Sequence, residues 1–166
     1  MTYLRQALGA GALRLDDKTD GSGPSRDRYG WDRIEAASAD AVAFWRPASN
    51  TVGGWQDRDT GDLFLMPSVV TGAVRTMAER AGDSWTGGTK ALGSALKGGG
   101  FLALADGARA ANRDAATVRP RIGGVQRDVW HLIAERYGDA GGWTTRAPST
   151  AARLGIFRTP SGCEGR

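Results

Sequence analysis

A helical stretch that runs into three consecutive glycines constrains this chain most. From Lys90 to Leu104 the sequence reads KALGSALKGGGFLAL. Ala91, Leu92, Ala95 and Leu96 recur at helical spacing, Thr86 or Thr89 can cap the start, and Gly98, Gly99 and Gly100 end the helix. An apolar run, Phe101 to Ala105, follows at once and predicts a strand. Upstream, Val69, Val70, Ala73, Val74, Met77, Ala78 and Ala81 place a second amphipathic helix over Pro67 to Arg80, with proline in its first turn and Gly82 as its stop. The short GDSWT connection makes the pair a helix-turn-helix pattern. Downstream, Asp106 to Ala116 is a polar, wing-like loop, and Thr117 to Ile122 with Arg127 to Leu132 read as a hairpin around Gly123-Gly124. The expected fold class is therefore α+β, with a winged-helix-like core of helix-turn-helix plus β-hairpin wing.

The rest of the chain reads as additions to that core. Leu4, Ala7, Leu8 and Gly11 lie at the spacing of one helix face, which predicts an N-terminal helix from Thr2 to Leu13. Asp16 to Arg28 (DDKTDGSGPSRDR) is polar and broken by Gly and Pro, the composition of a solvated surface loop. Ala41 to Trp45 is a short apolar run with strand character. Asp59-Thr60-Gly61-Asp62 separates two apolar runs, so Thr51 to Gln56 and Asp62 to Met66 are expected to pair as a small β-hairpin extension. Residues 133–166 are rich in Gly, Thr, Pro and Ser with little periodicity and read as a mostly disordered tail, with a turn of helix at Ala151 to Leu154. This divides the chain into 1–28, an N-terminal helix and polar loop, 29–132, the winged-helix-like domain with its hairpin extension, and 133–166, the tail.

Composition sets broad limits. At 166 residues with 40% apolar content the chain can bury one ordinary core, and its 25 glycines, about twice the usual share of roughly 7%, imply many turns. A net charge of +4 is compatible with nucleic-acid binding without demanding it. The charge is concentrated, however: Arg109, Arg113, Arg119, Arg121 and Arg127 face only Asp106 and Asp114 between positions 106 and 127. Cys163 is the one cysteine, so no disulfide or zinc cluster forms within one chain. The first residues lack the apolar core of a signal peptide and no window reaches the roughly 20 apolar residues of a membrane span. A cytoplasmic location is expected, with no membrane partner.

No catalytic constellation emerges. A phosphate loop requires G-x-x-x-x-G-K-[ST], whose amides and lysine cradle phosphate. The nearest segment, GDSWTGGTK from Gly82 to Lys90, places Thr89 before Lys90 instead of after it. His131 is the only histidine and sits at the end of an apolar strand, the place of a structural residue. Asp57, Asp59 and Asp62 resemble part of a calcium loop but lack its glycine and terminal glutamate, so a hairpin turn is the better assignment. The expectation is a protein that is not an enzyme, with no cofactor, no metal and no small-molecule substrate. Trp31, Phe44, Trp45, Trp55 and Phe64 could stack on bases, but a small sheet packed against helices would use the same residues as core.

In order, YLRQALGAGALRL, the Gly30-Trp31 and Gly54-Trp55 pairs, LFLMP ending at Pro67, KALGSALKGGGFLAL and TVRPRIGGVQRDVWHL ending at Leu132 span most of residues 3–132. This succession resembles the C-terminal region of actinobacterial plasmid, phage and integrative-element primase-helicase proteins. In that family the region is similar to a winged helix and follows an ATPase core, which this chain lacks. The resemblance implies a noncatalytic, nucleic-acid-associated domain of a mobile-element DNA replication protein. DNA is then the expected partner, held through phosphate by Lys90, Lys97, Arg109, Arg113, Arg119, Arg121 and Arg127. Alternatives are a protein-interaction module that docks on a helicase or primase, favoured by the small side chains of the Thr89 to Lys97 helix, and a free-standing winged-helix transcriptional regulator.

Overall fold

The computed structural model describes residues 2–35, 42–103 and 116–138. In chain order these form α1 (Thr2–Gly9), β1 (Arg14–Asp17), β2 (Trp31–Ile34), β3 (Phe44–Pro47), β4 (Val52–Gln56), β5 (Leu63–Leu65), α2 (Pro67–Arg80), α3 (Thr89–Gly98), β6 (Arg121–Ile122), β7 (Val125–Gln126), β8 (Trp130–Leu132) and α4 (Ala134–Gly138). The architecture is α+β.

The four-stranded sheet has the order β1-β4-β5-β8. β1 runs parallel to β4, while β4–β5 and β5–β8 are antiparallel. Because side chains alternate across a strand, this register sorts the apolar residues onto two faces. Leu63 and Leu65 of β5, with Trp130 and Leu132 of β8, share a core with Leu4 and Leu8 of α1, Val70 and Val74 of α2 and Leu96 of α3. On the opposite face Trp55 of β4 and Phe64 of β5, which are register partners, form a second cluster with Ile122 and Val129. Helices therefore cover one face and the β6–β7 hairpin covers the other.

The two central helices follow their local signals closely. Pro67 opens α2 where a missing N–H costs nothing. Each helix closes with paired 5→2 and 6→1 bonds. Gly82 N–H donates to Glu79 and Asp83 N–H to Ala78, while Gly100 N–H donates to Lys97 and Phe101 N–H to Leu96. Gly82 and Gly100 supply the left-handed residues this closure needs, with φ of 80° and 72°. Neither threonine caps α3; Gly88 occupies that position and makes no side-chain cap bond.

Several expectations need correction. The segment Asp16 to Arg28 is only in part a solvated surface loop. Asp16 and Asp17 belong to β1 and are buried, as is Ser25. Burial is tolerated because the charges are met locally: Asp17 Oδ1 accepts the N–H groups of Thr19 and Asp20, and Arg58 pairs with its other oxygen at 2.5 Å. The strand expected at Ala41 to Trp45 is displaced to Phe44–Pro47, and it pairs with β2 as a separate two-stranded ribbon. Phe101 to Ala105 contributes only an isolated bridge, Leu102 to Leu132, among the described residues. The hairpin around Gly123-Gly124 forms, but Trp130–Leu132 leaves it to join the main sheet beside β5. The expected tail begins with ordered structure: α4 buries Tyr137, whose hydroxyl donates to the Gly61 carbonyl at 2.6 Å. The Asp106 to Ala115 part of the wing-like loop and the turn at Ala151 to Leu154 lie outside the described residues.

Candidate nucleic-acid interface

The hairpin is built in two layers. Residues Val118, Arg119, Pro120, Arg121 and Ile122 alternate inward and outward. Val118 and Ile122 pack against the aromatic cluster, while Arg119 and Arg121 are exposed. Across the ladder Val118 bridges to Val129, Arg121 pairs with Gln126 and Ile122 with Val125. Gly123 and Gly124 both have positive φ, 54° and 81°, as a two-residue hairpin turn requires.

What distinguishes this hairpin from a free wing is that its tip is seated. A Cβ on Gly123 would meet Gly21 Cα at 3.0 Å and Asp20 O at 3.2 Å. The same loop accepts the Trp55 indole N–H at Gly21 O, 3.2 Å. The Lys18 to Gly21 turn is thus the surface on which the hairpin tip rests. Two cations flank the aromatics beneath it. Lys18 Nζ lies 4.3 Å from the Phe64 ring centre while bonding Asp57 at 2.8 Å, and the Arg127 guanidinium lies 4.9 Å from the Trp55 ring centre. Lys18 holds the Asp57 carboxyl below the usual carboxylate range, helped by the N–H groups of Thr60 and Asp59.

The seven residues expected to contact phosphate therefore stand in different situations. Lys90 and Lys97 are exposed on α3; seven residues apart, they share one side of the helix about 10 Å apart along its axis. The helix approaches the core through Gly93, where a Cβ would meet Trp130 Nε1 at 3.2 Å and Ala116 Cβ at 3.3 Å. Arg119 forms a bidentate pair with Asp128, Nε to Oδ1 at 2.6 Å and Nη2 to Oδ2 at 3.1 Å. This hydrogen-bonded pair holds the Asp128 carboxyl low and raises Arg119, and it sets a negative charge beside the Arg119 guanidinium. Arg121 is exposed with no ion pair among the described residues. Arg127 is exposed but rests against Trp55. Arg109 and Arg113 lie outside the described residues. Among the described residues the hairpin thus offers Arg121 and Arg127 as positive charges without an ion pair.

His131 and the aspartate turn have structural partners. Asp62 accepts from Ala134 N–H at 2.7 Å and bonds His131 Nε2 at 2.7 Å, while the imidazole stacks on Phe64 at 4.4 Å. Asp57 Oδ1 accepts the N–H groups of Asp59 and Thr60, closing the β4–β5 turn. Among the described residues no group of three or more His, Cys, Asp or Glu side chains could hold a metal ion, and no helix is long and apolar enough to cross a membrane.

The five aromatics divide between two roles. Trp55 and Phe64 are buried in the second cluster. Trp31 and Trp45 are half-buried and Phe44 is exposed, all three on the β2–β3 ribbon. Arg14 lies over the Trp31 ring at 5.3 Å and Arg28 over the Trp45 ring at 4.1 Å. Sequence reasoning did not single out Arg28 or Arg14, since each contact joins residues far apart in the chain. Comparison of the chain with family models, with curated proteins and with solved structures finds no match.

Proposed function

We propose that this chain is a noncatalytic domain of a mobile-element DNA replication protein, with a winged-helix-like core that binds duplex DNA mainly through phosphate. The observation that carries this is the succession around β8. Two Gly-terminated helices, α2 and α3, lead to Leu102, which bridges β8; the basic hairpin follows, and β8 returns between Leu102 and β5. A winged helix uses the same order of helix, helix, strand, hairpin and strand, and the family resemblance of the motifs runs in the same direction.

Within this proposal the hairpin and α3 divide the work. Arg121 and Arg127 on the hairpin, with Lys90 and Lys97 on α3, are the phosphate contacts; Arg119 serves chiefly to brace the hairpin through Asp128. The exposed side chains of α3 are Thr89, Lys90, Ala91, Ser94, Ala95 and Lys97. Apart from the two lysines given to phosphate, only the short hydroxyls of Thr89 and Ser94 can hydrogen-bond base edges, so the binding is sequence-tolerant. Those short side chains also favour a second reading, in which α3 packs closely on a helicase or primase. Fluorescence anisotropy with a labelled 20-base-pair duplex at two salt concentrations tests the first. Binding at low salt that weakens for Arg121→Ala supports it, and no binding at low salt refutes it.

A further inference from the structure

The β2–β3 ribbon has a different chemistry from the hairpin. Its register pairs Trp31 with Pro47 and Arg33 with Trp45, placing these four residues on one face. Arg28 lies over the Trp45 ring at 4.1 Å and is itself an exposed residue. No salt bridge joins Arg28 to a carboxylate among the described residues. Arg28 is also the one non-glycine described residue at positive φ, 57°, a conformation L side chains rarely adopt. The chain thus holds an unfavourable backbone geometry at the residue that stacks on the tryptophan. Arg33 adds a second cation, paired among the described residues with an exposed Glu35 at 3.4 Å. Phe44, 58% exposed, begins the same strand but falls on its opposite face.

We infer that the ribbon is a stacking platform for unpaired nucleobases, with single-stranded DNA or RNA as its ligand. A base stacks on the Arg28–Trp45 pair, and Arg28 and Arg33 take the adjoining phosphates. A half-buried indole capped by an exposed guanidinium suits a ligand that is both planar and anionic, and single strands present both without the cost of opening a duplex. This rests on the nucleic-acid reading above but uses a separate surface, so the two can fail separately.

The test uses the full chain, a fluorescein-labelled dT20 strand and the 20-base-pair duplex, both read by anisotropy at low salt. Trp45→Ala is expected to weaken dT20 binding about 10-fold, within the range for loss of one base–aromatic stack, and to leave duplex affinity within about twofold. Trp45→Phe keeps a stacking ring and recovers most of the affinity. Should Trp45→Ala fail to fold, Arg28→Gly replaces it, because glycine accepts the backbone angle while removing the guanidinium; several-fold weaker dT20 binding is then expected. Unchanged dT20 binding in a folded variant, or no dT20 binding by the wild type while the duplex binds, overturns the inference alone and is the result that a protein-docking ribbon would give. Failure to bind either probe overturns the underlying nucleic-acid reading as well.

Discussion

Truncating Ile122 to alanine tests whether the hairpin is held against the sheet. Ile122 is 1% exposed and packs with Trp55, Phe64 and Val129. The substitution removes three carbons, worth about 2.4 kcal/mol at ~0.8 kcal/mol per buried methylene. Whatever cavity fails to close adds to this, although a hairpin at the edge of the fold can settle inward, which keeps the total at about 2–3 kcal/mol. At ~2–4 °C per kcal/mol that lowers Tm by about 5–10 °C. Urea unfolding followed by circular dichroism measures the free energy directly through the shift in midpoint at constant m. Val125→Ala, at a hairpin position 53% exposed, is the control and should stay within about 0.5 kcal/mol. An Ile122→Ala effect no larger than that of Val125→Ala would mean that the hairpin swings free in solution, and would remove the basis for treating its arginines as a fixed array.

Gly123→Ala places a Cβ against Gly21 Cα and Asp20 O at a residue with φ of 54°, so it should destabilise by about 1–3 kcal/mol; an unchanged urea midpoint would show that the two loops do not touch. Acid stability follows from Asp57. Lys18 lowers its folded pKa below the unfolded value, so the contribution is full above about pH 4 and is lost as pH falls through the folded pKa. Lys18→Met should therefore flatten the fall in stability below pH 4, measured by urea midpoints between pH 3 and pH 7. At the alkaline end, burial pushes the Tyr29 and Tyr137 phenols above their ordinary range of about 10. The stability they hold below that pH declines as pH rises beyond it, and Tyr137→Phe should soften the decline.

Local features were the legible part of this fold. The spacing of Val70, Val74 and Met77, the proline at 67 and the glycine stops are short-range signals, and α2 forms over the expected residues. The Gly123-Gly124 turn and the β4–β5 pairing are equally local. The N-terminal polar segment was not legible, because burial of Asp17 depends on its pairing with Gln56 in β4 and on Arg58 from another loop. Hydropathy sees only charge there. Parallel pairing of β1 with β4 is likewise nonlocal and leaves no turn signature.

The candidate site was legible to a smaller degree. Clustering marked the arginines of the hairpin, but not how they differ. Val118 opposite Val129 sets Arg119 beside Asp128, a pairing that the hairpin's alternation already implies. Contact of Arg127 with Trp55, and of Arg28 with Trp45, requires the fold. The aromatics split for the same reason: Trp55 and Phe64 lie in the main sheet under the hairpin, whereas Trp45 lies on a ribbon outside it.

The most direct test of the central claim is the salt dependence of duplex binding for wild type and Arg121→Ala. With about three to four phosphate contacts, log K against log salt should fall with a slope of roughly −3, and Arg121→Ala should reduce its magnitude by about 1. Arg119→Ala, whose charge is already paired with Asp128, should change the slope less. A wild-type slope near zero, or an Arg121→Ala protein with the wild-type slope and affinity, would contradict the account.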